Sequence, residues 1–203
     1  MAVIIWSLVG FLSGAIPFSV ILGRLAVGQD IRQYNDHNPG AFNVFHAAGK
    51  RWGMLAIALD SLKGAIPVGL AYFIFGISGW GLALVALAPA FGHAFSPFLR
   101  GRGGKALAVT FGVWAGLTLW VGPVVLGLLC TLFYNLLNSS GWAVTLAMLL
   151  FGGFVASFLA PSQAVLLWIW LGNLALLLWK HRAELTRLPG LHPKVLRRLK
   201  GQA

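Results

Sequence analysis

The chain has 203 residues, of which 59% are apolar and only 9% charged, with a formal net charge of +11. A soluble domain of this size carries about 25% charged residues to solvate its surface, so this composition excludes a water-solvated globule and makes lipid the solvent of the outer face. The basic residues sit between apolar runs, as positive-inside topology requires, and not on one nucleic-acid-binding face.

In chain order, the first 23 residues carry no charge. The basic start of a cleavable signal peptide is therefore missing, and residues 4–23 read as a retained membrane span. The segment 24–51 follows as a polar loop. It contains Asn35-Asp36-His37-Asn38-Pro39-Gly40-Ala41-Phe42-Asn43-Val44, an Asn- and Gly-rich run able to form turns or to offer backbone N–H groups and amides to an anion.

Residues 52–75 and 80–98 read as the second and third spans, joined by the uncharged Gly76-Ile77-Ser78-Gly79. Asp60 and Lys63 lie inside the second span at i and i+3, where they can pair on one helix face. An isolated charge at that depth costs several kcal/mol, so both must face protein or a wet cavity. Either a structural ion pair or a brace for a site satisfies that demand.

The loop after the third span reads Gly92-His93-Ala94-Phe95-Ser96-Pro97-Phe98-Leu99-Arg100-Gly101-Arg102-Gly103-Gly104-Lys105. Bare glycine backbone and a lysine before a helix suit a phosphate. A Walker nucleotide loop is excluded, because Leu99 stands at its first glycine and Ala106 at its magnesium-binding hydroxyl. The 74 residues from Ala106 to Trp179 contain no Asp, Glu, Lys or Arg. Breaks at Gly122-Pro123, Asn138–Gly141 and Ala160–Gln163 divide them into spans 106–121, 124–137, 142–159 and 164–179.

Seven spans place the N-terminus outside and the C-terminus in the cytoplasm. Segments 24–51, 99–105 and 180–203 then hold 14 of the 15 basic residues on the inner side, the exception being Lys63. The expected fold is an all-α integral membrane protein with a single polytopic domain, 1–203. Its basic tail, with Lys194, Arg197, Arg198 and Lys200, rests on anionic lipid. His181 and Arg187 directly follow the last span, where they can serve the helix dipole, lipid headgroups or a bound anion. The lone Cys130 builds neither a disulfide nor a metal site.

Taken together, these motifs resemble the bacterial acyl-phosphate:glycerol-3-phosphate acyltransferase (PlsY) family. Asn38–Val44 resembles its Asn-x-Gly-Ala-Thr-Asn-Val, and Asp60-Ser61-Leu62-Lys63-Gly64 its Asp-x-x-Lys-Gly. Gly92-His93 with Arg102-Gly103-Gly104-Lys105 resembles Gly-His followed by Lys-Gly-Gly-Lys, and His181 and Arg187 match its C-terminal His and Arg.

The resemblance implies transfer of an acyl group from acyl phosphate to glycerol 3-phosphate at the cytoplasmic face of the cell membrane, yielding lysophosphatidic acid without cofactor or metal. It assigns His93, Lys105 and His181 to catalysis. Asn38, Gly40, Asn43, Gly103, Gly104 and Arg187 fall to phosphate binding, and Asp60 and Lys63 to structural support. The proton leaves on the donor's own phosphate, with His93 as an alternative base. The His-x4-Asp motif of other glycerolipid acyltransferases is absent, since neither His46 nor His93 is followed by Asp at that spacing.

Differences from the family pattern are local. Asn35-Asp36-His37 replace Gly-Ser-Gly, Phe42 replaces Thr, His46 replaces Arg and Glu184 replaces Asn. Ser139 and Ser140 are what remains of an Arg-Tyr-x-Ser element. A carboxylate beside a phosphate repels it by several kcal/mol at an effective dielectric of about 20, and a lost charge-assisted hydrogen bond costs roughly 1.5–3 kcal/mol more. Acylation of a non-phosphorylated acceptor, or a non-catalytic lipid-binding role, are the readings these changes leave open.

Overall fold

The computed structural model describes residues 1–199, so the tail's Lys200 lies outside the described residues. Every named element is helical: α1 Ala2–Ala15, α2 Phe18–Val27, α3 Ala41–Gly69, α4 Gly79–Ala94, α5 Leu107–Thr118, α6 Val121–Leu136, α7 Ser140–Phe154, α8 Val165–Leu185 and α9 Pro193–Leu199. α3 and α7 each continue through one wide π turn, at Leu70–Ile74 and Val155–Leu159.

Among the described residues, four stretches are long and apolar enough to cross a membrane: Ala2–Val27, Ala41–Ile74, Gly79–Leu99 and Ser140–Leu159. Leu107–Thr118 and Val121–Leu136 are apolar but shorter. Large apolar side chains such as Ile4, Ile74, Leu128 and Phe158 are exposed along these helices, as lipid contact requires.

The chain divides into two compact units, Met1–Trp120 and Val121–Ala203. In the first unit, α1 packs on α4 and α3 on α5. Both contacts depend on residues without side chains. A Cβ on Gly14 would stand 2.0 Å from the Pro89 carbonyl oxygen, and one on Gly92 2.0 Å from that of Phe11. On α5, a Cβ on Gly112 would lie 1.9 Å from the Ser61 carbonyl oxygen of α3. Small residues that let backbones touch are how helices associate where lipid is as apolar as leucine.

The first apolar run is not one straight helix. Pro17 has no N–H to give, so α1 ends at Ala15 and α2 restarts at Phe18. Carbonyls exposed at such a break must find donors away from water. Ser96 Oγ donates to Ala15 O at 2.6 Å, and Lys63 Nζ donates to Ile16 O at 2.8 Å. Lys63 also pairs with Asp60 Oδ1 at 2.6 Å, while Ser19 Oγ donates to Asp60 Oδ2 at 2.6 Å. The charged pair inside the second run thus ties α3 to the broken end of α1 and the start of α2.

The segment 24–51 is more ordered than the polar loop its sequence suggests. α2 runs on to Val27, and Asp30 caps a short 3₁₀ turn, Ile31–Gln33, through the Arg32 N–H. Arg32 and Arg24 also grip the Asp30 carboxylate. α3 begins at Ala41 and bends at Gly49, whose φ of 80° is left-handed. Ile31, fully buried, packs with Val20, Leu22, Val44 and Ala56, and Leu99 of the second loop packs against this cluster. That apolar plug joins the two polar loops.

In the second unit, α7 packs on α6 and α8. α8 extends to Leu185, six residues beyond the apolar run that ends at Trp179. The tail folds back through a single bridge between Leu137 and Leu191, with Gly190 N–H also donating to Asn138 Oδ1.

Candidate anion-binding sites

In the first unit the two polar loops meet at Asp36 and Lys105, whose Oδ2 and Nζ lie 2.7 Å apart. Asp36 Oδ1 accepts from Asn43 Nδ2 at 3.0 Å and from the Asn38 N–H at 3.2 Å. One ammonium, one side-chain amide and one backbone N–H thus converge on a single carboxylate. Asn43, 1% exposed, is fixed by a second bond from Nδ2 to Asn38 O at 2.8 Å, whereas its buried Oδ1 has no hydrogen-bond partner. Gly40 starts α3 in extended backbone and leaves room for Asn38, whose Nδ2 would be 2.6 Å from an added Cβ.

Burial pushes the Asp36 carboxyl up, but the hydrogen bond and charge of Lys105, with the Asn38 N–H and Asn43 amide, hold it below its ordinary value. A depressed folded pKa gives stability that is present above the unfolded value and lost as pH falls through the folded one. The Asp36 carboxyl is therefore ionised at neutral pH. Sequence places Asp36 as a repulsive neighbour of a bound phosphate; the structure places it on the lysine itself.

His93 lies in the last turn of α4, 8% exposed. A Cβ on Gly104 would stand 2.3 Å from its Nε2, and one on Gly103 1.8 Å from its carbonyl oxygen. The two glycines before Lys105 are thus bare because His93 lies against them. Only Gly101 among the glycines of this loop is left-handed, at φ 75°. Ala106, with φ 66°, then turns the chain into α5 at Leu107.

In the second unit, Asn138, Ser139, Ser140, Glu184, Thr186 and Arg187 line a cleft of about 550 Å³. Glu184 Oε2 accepts from Ser140 Oγ and, at 2.7 Å, from the Gly141 N–H. It thereby satisfies a donor that the first turn of α7 leaves without an intrahelical partner. His181 is buried, 3% exposed, and does not line the cleft. Its Nδ1 meets the Leu177 carbonyl at 2.9 Å; a carbonyl only accepts, so Nδ1 carries the proton. Arg187 O accepts from the Trp142 indole at 2.8 Å.

Of the residues singled out from sequence, Asn38, Gly40, Asn43 and Lys105 come together around Asp36. Gly103 and Gly104 pack on His93, and Asp60 and Lys63 pair in the α3 interior. Ser13, Ser19 and Ser96 escaped notice because their partners are backbone or buried groups 41 to 81 residues away. No group of three or more metal-ligating side chains occurs among the described residues.

The glycerol-3-phosphate acyltransferase family model matches residues 4–189. A glycerol-3-phosphate acyltransferase 1 from Thermotoga maritima is 39% identical over 87% of this chain and 93% of its own length. The enzyme of that name from Desulfovibrio desulfuricans is 34% identical over 93% and 82%. The crystal structure of PlsY (YgiH), an integral membrane glycerol 3-phosphate acyltransferase, in its glycerol 3-phosphate form superimposes with a TM-score of 0.80. It shares 28% identity and covers all of this chain and 94% of that one. Its lysophosphatidic acid form gives 0.78 at 26%.

Proposed function

The chain belongs to the glycerol-3-phosphate acyltransferase family, and we propose that it is a membrane enzyme moving a fatty acyl group from acyl phosphate to a hydroxyl of glycerol 3-phosphate. The products are lysophosphatidic acid, for phospholipid synthesis, and inorganic phosphate. The observation that carries this reading is the donor set of Lys105, Asn43 and the Asn38 N–H, which already holds an anion.

The acceptor hydroxyl oxygen attacks the acyl carbon, the bond from that carbon to the phosphate oxygen breaks, and the departing phosphate takes the hydroxyl proton. Lys105, with the backbone of Gly103 and Gly104, holds a substrate phosphate and offsets its charge. Asn38, Gly40 and Asn43 shape the first-loop cradle. His93 orients the donor or serves as base, and Arg187, on the cleft that His181 does not line, is assigned the acceptor's phosphate. Asp60 and Lys63 brace α3 against the α1 break.

Distribution of charge supports seven crossings in one membrane domain, with the N-terminus outside and the basic segments 24–51, 99–105 and 180–198 at the cytoplasmic face of the cell membrane. The tail there contacts anionic lipid.

A second reading keeps the chemistry and changes the acceptor. Asp36 and Glu184, each seated on anion donors, favour a neutral polyol over a phosphate ester. Protein in liposomes supplied with acyl phosphate and equal glycerol 3-phosphate and glycerol separates the two. Lysophosphatidate as the main product supports the first reading, and monoacylglycerol as the main product replaces it with the second.

A further inference from the structure

We infer that Asp36 is a built-in stand-in for phosphate: it fills the Lys105 cradle at rest, and a substrate phosphate binds there by displacing the Asp36 carboxylate. The inference rests on Lys105 as a phosphate ligand and adds a competitor at that same position.

Three features support it. The carboxylate takes the kinds of bond a phosphate would take: an ammonium at 2.7 Å, an amide at 3.0 Å and a main-chain N–H at 3.2 Å. The side-chain amide and the lysine's backbone have anchors other than Asp36. Asn43 is fixed by its bond to Asn38 O and by burial, and the backbone that carries Lys105 is set by the glycines packed on His93. The carboxylate, by contrast, can leave. Its side chain is 38% exposed, it sits between the left-handed residues Asn35 and His37, and swinging out would return it to water. A half-exposed ion pair contributes little stability, so a dianionic headgroup can outcompete it.

Asp36 therefore sets a threshold against phosphate, whether carried by the donor or the acceptor. It raises the concentration at which either substrate saturates, and it weakens inhibition by released inorganic phosphate.

Kinetics of reconstituted Asp36→Asn and Asp36→Ser test this, with Lys105→Ala alongside. Removing the carboxylate is expected to lower KM about twofold to fivefold for whichever substrate places its phosphate at Lys105. Separate titrations of acyl phosphate and glycerol 3-phosphate identify that substrate. Inorganic phosphate should inhibit at a Ki lower by a similar factor, and Lys105→Ala in the Asp36→Asn background should abolish both gains. Isothermal titration of inorganic phosphate into Asp36→Asn gives the same comparison without turnover. If KM and Ki stay unchanged or rise in both Asp36 variants while Lys105→Ala alone still impairs turnover, the stand-in is wrong and the phosphate-binding role of Lys105 survives. If Lys105→Ala is silent, that role fails first.

Discussion

Lys63 shows how one side chain can satisfy two demands in a membrane interior. Its ammonium neutralises Asp60 and also gives the Ile16 carbonyl at the Pro17 break a second donor beside the Phe18 N–H. Truncating one member of a buried pair leaves the other charged and unpaired, at a cost of about 3–5 kcal/mol. Lys63→Met should lose roughly that much in detergent unfolding. Asp60→Asn combined with Lys63→Met should lose distinctly less, because the orphan charge is gone. Equal or larger loss in the double variant would show that the carbonyl contact, not the pair, dominates. The pairing was legible in the i, i+3 spacing. Its second partner was not, because a proline break exposes carbonyls that no pattern of side-chain types records. Asp36 was legible only as a charge out of place; that it would meet Lys105, 69 residues away, needed the fold.

Element by element, the breakers at 138–141 and 160–163 fall near helix ends. Gly122-Pro123, expected to separate two spans, instead lie in the first turn of α6, where a proline gives up no intrahelical bond, and the gap is at 119–120. Boundaries moved where polar sequence still makes helix: α3 begins at Ala41 instead of 52, and α8 ends at Leu185 instead of 179. Composition cannot see these ends, because a helix leaving the membrane stays helical while its side chains turn polar. Which glycines matter is likewise a matter of contact. Gly112→Ala pushes a methyl toward the Ser61 carbonyl at 1.9 Å and must separate α3 from α5. Gly153 of α7 has nothing within 4 Å, so Gly153→Ala only removes backbone freedom from a helix and should be neutral or stabilising by up to about 1 kcal/mol. Thermal unfolding in detergent should drop by several degrees for the first variant and not for the second. Equal shifts would mean that α3 and α5 are less closely packed than described.

For the whole molecule, the chemistry is held by short polar segments set on apolar helices, and the family membership spans both compact units. Fold class and reaction class were legible because a membrane solvent and a handful of spaced motifs each leave a strong mark on sequence. What two extra carboxylates do was not, because the sign of their effect depends on whether they face a cation or a substrate. Asp36 faces Lys105 and Glu184 faces the first turn of α7, so both act first as internal counter-ions. The account stands or falls on Lys105 meeting phosphate during acyl transfer. Purified protein in liposomes with acyl phosphate and radiolabelled glycerol 3-phosphate should form labelled lysophosphatidate, and Lys105→Ala, folded by its detergent melting curve, should lower kcat/KM by about a hundredfold or more. Product formation by the variant at the rate of the unaltered chain would contradict it, as would no product from either.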